Sequence, residues 1–471
     1  MGSYGRNRYR LAVVLIWLMV LAGCLSRPPS ELELHTTEQS SATSMPYPFL
    51  TTPIQTISVS TPTIQVIISA SLPTISQTTN VTPADSVPAI ETAIPSETPP
   101  PGWIIYKGVP EGSGFPDVIY ILRENGIGRR RILDNDNSGW EHPQALSWSP
   151  NGQWISFIAS PYPSESRHEI YLVRPDGSEL HRLTHTPGYK GAGSWSPDGK
   201  SIVYSQITGK FDQAEADLFV VEVDSGWVRQ ITHTPDIYEH NPAYSPQGDS
   251  IAYTAIRADE KHGTADLMIM DLDGGRARRL VDTGVSVGGI AWSPDGERIA
   301  FSSSSFPSEN CDEDLYLVNR NGSGLQRLTD NPWGVSYPSW SPDSQWIAFE
   351  TSLKCGGRGR WQINLIKTNG SGLREVVNPS PQYPNPAWSP LPALRIGEMF
   401  KLTESGAQLK LRISPSLSAQ MIERLIEGEQ ILIQEGPIEA DEYLWWRVRV
   451  GSNNQEGWVA ENPGWFAPVR P

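Results

Sequence analysis

Between residues 102 and 392 the chain alternates short apolar runs with polar turns, and it does so on a fixed period. Runs such as Ile202-Val203-Tyr204, Ile299-Ala300-Phe301 and Leu315-Tyr316-Leu317-Val318 are rich in β-branched and aromatic residues. They are too short for helices and read as strands. Tight-turn steps separate them: Asn125-Gly126, Asp176-Gly177, Asp224-Ser225-Gly226, Asp273-Gly274, Asn321-Gly322 and Asn369-Gly370. Asn-Gly and Asp-Gly supply the positive φ that a two-residue hairpin turn requires. One aromatic-Ser-Pro triplet marks each period. Trp148, Trp195, Tyr244, Trp292, Trp340 and Trp388 each precede Ser-Pro, at intervals of 47, 49, 48, 48 and 48 residues. Four short strands in about 48 residues is the arithmetic of one propeller blade.

The ends of the repeat set the count. The chain enters with three strands, around Trp103 to Tyr106, Val118 to Leu122 and Arg130 to Leu133, and leaves with one, around Pro386 to Trp388. Three plus one completes a sixth blade, and closure removes the free sheet edges that would template aggregation. The expected fold is all-β, with a six-bladed propeller over 102–392. The period then breaks. Runs at Leu409 to Ser414, Glu427 to Ile433, Leu444 to Arg449 and Gly457 to Val459 predict a second, smaller β module over 393–471.

Ahead of the repeat, 25–101 is rich in Pro, Ser and Thr and nearly free of aromatic residues, which predicts a disordered stalk,. Residues 1–24 carry Arg6, Arg8 and Arg10, then an apolar stretch from Leu11 to Ala22, shorter than the ~20 residues needed to span a bilayer,. This is the pattern of a signal peptide. Leu21-Ala22-Gly23-Cys24 resembles the bacterial lipobox. The resemblance implies that Cys24 is diacylated and becomes the mature N-terminus, an anchor of two acyl chains.

Composition narrows the function. A formal charge of −15 argues against nucleic acid, whose phosphates require concentrated Lys and Arg,. No HExxH, CxxC or GxSxG occurs, and no cofactor is expected,. Asp134 to Gly139 begins like a calcium loop, but Ala145 stands where the loop's closing Glu belongs,.

The repeated Trp-Ser-Pro-Asp-Gly pattern resembles the WD40-like propeller repeat of the TolB family, and also that of propellers attached to some prolyl peptidases. The α/β domain that precedes the propeller in TolB has no counterpart here. The C-terminal strands, with Trp446-Arg447-Val448 and Gly457-Trp458-Val459, resemble a bacterial SH3-like domain. That resemblance implies binding of peptidoglycan or peptide.

Candidate contacts follow from the loops. Those joining second and third strands differ from blade to blade, and variable loops on a rigid scaffold usually carry binding. They and the neighbouring interblade loops offer Tyr162, Phe211, Phe306 and Trp333, with Tyr238, His240 and Tyr337 expected at the channel mouth. In the C-terminal module, alternation sends Trp446, Val448 and Val450 inward and Trp445, Arg447 and Arg449 outward,. Trp445 with the two Arg is therefore a candidate for a sugar or a peptide carboxylate, or else packs on the propeller or the tail. Cys311 and Cys355 fall in corresponding loops of adjacent blades, which in an oxidising compartment predicts a disulfide,. The expected function is a non-enzymatic cell-surface lipoprotein that scaffolds a protein or peptidoglycan partner. An accessory protein of a peptidase system and a Tol-Pal-like envelope component are the alternatives.

Overall fold

The computed structural model describes residues 102–469, apart from 109–117, 134–139, 162–167, 209–214, 258–264, 282–285, 305–312, 331–333, 353–360 and 381–383. Cys24, Tyr162, Phe211, Phe306, Cys311, Trp333 and Cys355 lie outside the described residues, as do the leader and the proposed stalk.

The described chain is all-β and propeller-like. Its repeat groups into six four-strand antiparallel units. The first runs through Trp140–Trp148, Ile155–Pro161, Glu169–Val173 and His181–Arg182, and four more follow in chain order. In the last unit Ala387–Pro392 pairs with Gly102–Gly108, which pairs in turn with Val118–Arg123, so the two ends of the repeat share one sheet. The first strands of the units touch one another in a closed cycle. Units two and three are also joined by a parallel bridge between Ala216 and Tyr238, giving a continuous eight-stranded sheet.

The repeated tryptophans explain why the units adhere. Trp148 Nε1 donates to the Ala387 carbonyl at 3.0 Å, Trp292 to Ala243 at 3.1 Å and Trp340 to Ala291 at 3.0 Å. Trp195 donates instead to Ser156 Oγ at 2.9 Å. Each indole thus buries its ring and satisfies its N–H on the unit before it, a pairing a buried Trp needs. In the turn after the triplet, the Ser hydroxyl bonds the Asp two residues on, as in Ser196 Oγ to Asp198 Oδ1 at 2.6 Å. The same oxygen accepts from the Ser201 amide at 2.9 Å. Gly199 closes this turn at φ +71°.

Beyond Pro392 the chain forms one seven-stranded antiparallel sheet with its own core of Phe400, Leu411, Ile431, Trp446, Val448, Val450 and Val459. The inward set expected from alternation, Trp446, Val448 and Val450, is buried there.

Candidate functional site

Three expected contact residues sit elsewhere than the sequence suggested. Tyr238 and His240 are on the first strand of the third unit, Ile237–Tyr244, and are only 9% and 3% exposed. The bridge from Ala216 to Tyr238 closes the neighbouring unit over this strand, so Tyr238 packs with Ala216 and Ile256 and faces no solvent-filled mouth. Burial alone lowers the His240 imidazole to a pKa of about 4, so it is neutral at ordinary pH. Tyr337 is half-buried and holds φ +50°. It occupies an irregularity in Val335–Trp340, where the register shifts between Ser336 and Ser339. Asn241 and Asn385 hold the same left-handed conformation at the corresponding places.

Trp445 is the third correction. It is 1% exposed, not outward in solvent, and its indole donates to the Ala440 carbonyl at 2.9 Å. The preceding strand, Gln430–Ala440, shifts register twice, between Ile433 and Glu435 and between Glu435 and Ile438. Bulges bend a strand, and this one brings Ala440 to the Trp445 indole. Arg447 and Arg449 are exposed as expected, but both are engaged by Glu456, at 3.2 and 3.0 Å, and Arg447 also by Glu435 at 3.6 Å. Hydrogen bonds from Gln434 and Arg449 hold the Glu456 carboxyl below its usual range.

The junction between repeat and C-terminal sheet escaped sequence reasoning. Glu461, 2% exposed, accepts from Arg123 Nη1 at 2.9 Å, Trp446 Nε1 at 2.8 Å, the Leu394 amide at 2.9 Å and Trp103 Nε1 at 3.3 Å. The Arg123 guanidinium lies between the Trp103 and Trp446 rings, 5.6 and 5.9 Å from their centroids. Nearby, Arg130 donates to Asn462 and stacks 5.2 Å over Tyr443, while Leu444 enters the apolar core of the repeat. A carboxylate with four donors and a cation flanked by two indoles is a satisfied buried pair, the arrangement that makes such burial tolerable. The only sequence trace of it is a Glu after the apolar Trp458-Val459-Ala460 run. Among the described residues, no group of three or more His, Cys, Asp or Glu could hold a metal ion.

Comparison with known proteins agrees with this architecture. The family model described as the TolB beta propeller domain matches residues 118–286 and 241–403, more than half of the chain. The chain is 37% identical over 43 residues to the Tol-Pal system protein TolB of Nitratidesulfovibrio vulgaris, covering 9% of this chain and 10% of that one. It is 31% identical over 75 residues to the uncharacterized peptidase YuxL of Bacillus subtilis, covering 15% and 11%. The matched segments therefore span only about a tenth of these relatives. Among solved structures, TolB from Acinetobacter baumannii is similar with a TM-score of 0.49 at 20% identity, over 61% of this chain and 66% of that one. By its repeat, this chain belongs to the TolB beta propeller domain family.

Proposed function

We propose that the chain is an exported lipoprotein, held to a membrane through Cys24, whose six-bladed propeller and SH3-like barrel act as one scaffold for a protein or peptidoglycan partner at the cell envelope. The observation that carries this reading is the Glu461–Arg123 junction, because it holds two different modules in one fixed relation. A rigid pair presents its surfaces together, so partner loops lose less entropy on binding than they would against two free domains. The variable loops bearing Tyr162, Phe211, Phe306 and Trp333 are proposed as the contact surface, since aromatic side chains are favoured binding anchors. The match to TolB supports a protein partner in particular.

The test is affinity capture from solubilised membranes with the full chain as bait. Wild type should retain a specific partner, and replacement of the four aromatic-bearing loops by Gly-Ser should lose it without moving the melting transition. Capture that survives every loop replacement would place binding elsewhere. Failure of the wild type to incorporate labelled fatty acid at Cys24 would remove the anchor from the proposal.

A further inference from the structure

The joints between units reuse the same positions, and one of them brings two acids together. Four of the third strands carry an acid near their start, Glu169, Asp217, Asp266 and Asp314, where Trp361–Lys367 has Gln362. At two of these joints a Thr on the chain leading to the next unit serves that acid. Thr184 Oγ1 donates to Glu169 at 2.6 Å and Thr329 Oγ1 to Asp314 at 2.8 Å. The same hydroxyls accept from the Ile170 and Leu315 amides, both at 2.9 Å. Five residues before the next unit's aromatic landmark, successive units carry Lys190, Glu239, Val287 and Val335.

At the joint between the first and second units this residue is a cation. Lys190 Nζ lies 3.0 Å from Glu169 Oε2, both fully buried. At the next joint the same position is an acid. Glu239 is 1% exposed and Asp217 4% exposed. Thr232, the counterpart of Thr184, accepts from the Leu218 amide at 2.9 Å but donates to Glu239 rather than to Asp217. Asp217 accepts from Gln230 Nε2 at 2.9 Å and from the Thr234 amide at 3.2 Å. Among the described residues, the titratable groups that act on or feel Glu239 include Asp217 on Glu215–Glu222 and the buried Tyr253 on Ser250–Arg257. Val228–Gln230 brings Gln230 to Asp217, and its Arg229 alternates to the other face,. His240 follows on the same strand and faces the other way, in the regular pairing of Glu239 with Ala255 and His240 with Thr254,.

Two carboxylates at a dry joint cannot both be charged at low cost. We propose that the joint between the second and third units is a proton-dependent latch: Glu239 is held as the neutral acid while the joint is closed, and loss of its proton to solvent loosens the third unit from the second. Burial first, and then the charge of Asp217, push the Glu239 carboxyl above its ordinary range, against the pull of the Thr232 hydrogen bond. The folded chain therefore keeps a proton that the unfolded chain releases. The stabilisation is complete below the ordinary carboxylate range and is lost as pH rises through the elevated value.

The test compares thermal melting of the full chain with that of Glu239→Gln and Asp217→Asn across pH 5 to 9. Glu239→Gln keeps the shape and cannot ionise. It should match wild type near pH 5 and exceed it by about 2–3 °C at pH 9. Asp217→Asn removes the opposing charge and should narrow the same alkaline loss, which keeps the proposal testable should one variant misfold. Hydrogen exchange at the Ile237–His240 amides, corrected for intrinsic rate, should accelerate with pH in wild type and not in Glu239→Gln. A melting difference that stays constant from pH 5 to 9 in both variants would overturn the latch.

Discussion

Glu461→Ala tests whether the repeat and the C-terminal sheet are one body. The substitution strips Arg123 of its 2.9 Å partner and leaves the Trp103 and Trp446 indoles and the Leu394 amide without their acceptor. Removing one member of a buried pair costs about 3–5 kcal/mol. Each orphaned donor adds about 1–3 kcal/mol in isolation. The terms do not sum here, because Arg123 keeps Glu124 at 3.4 Å and a space the size of the lost carboxylate can admit water. A loss of about 4 kcal/mol is the working figure. If the whole folded part of roughly 370 residues melts together, its unfolding entropy converts that loss to about 5 °C. If the junction is what couples the modules, the variant should instead show two transitions, with the small C-terminal sheet melting first and much lower. Scanning calorimetry separates these outcomes. The compensating double variant, Arg123→Met with Glu461→Leu, should recover most of the loss, as apolar replacements of buried pairs do. A Glu461→Ala transition that is single and unshifted would refute the junction's role.

Two further outcomes are expected. His240, with its pKa lowered by burial from 6.5 to about 4, contributes stability that is whole above pH 6.5 and lost as pH falls through 4. The ceiling on that contribution is about 3 kcal/mol, so His240→Gln should flatten the acid limb of the melting profile. A wild-type imidazole that titrates near 6.5 by NMR would exclude this. Cys311 and Cys355 should be disulfide-bonded, adding about 4 kcal/mol by the chain-entropy model. Two reactive thiols in the unfolded, unreduced protein would count against the bond.

The repeat was legible because a Trp whose indole must find an acceptor on the neighbouring unit cannot drift from its place, so the interval of its triplet survives in the sequence. Strand alternation also placed Trp446, Val448 and Val450 correctly. It failed one residue away at Trp445, because the covering bend lies in a different strand and register shifts leave no mark in local hydrophobicity. Tyr238 and His240 were misplaced for a related reason: the bridge to Ala216 that buries their strand joins separate units. Glu461 was invisible because three of its four partners lie 67 to 358 residues away along the chain, and nothing near it distinguishes it from a surface acid.

The strand Gly102–Gly108 has a mechanical consequence. It is held on one side by Ala387–Pro392 and on the other by Val118–Arg123. Gly102 itself is clamped, its amide donating to Glu124 Oε2 at 2.9 Å and its carbonyl accepting from the Glu124 amide at 3.1 Å. Tension applied to the chain ahead of Gly102 would run along this strand and load both hydrogen-bond ladders in shear, so that many bonds must yield together. An edge strand pulled from the rim would peel open one bond at a time. Its neighbour Trp388 leaves no room for a Cβ at Gly102 and, unlike the indoles of the other Trp-Ser-Pro triplets, its buried N–H finds no acceptor. The ring is thus closed at the point of traction by backbone rather than by a side-chain staple, and under a pulling force this seam, rather than any loop, sets the load the fold can bear.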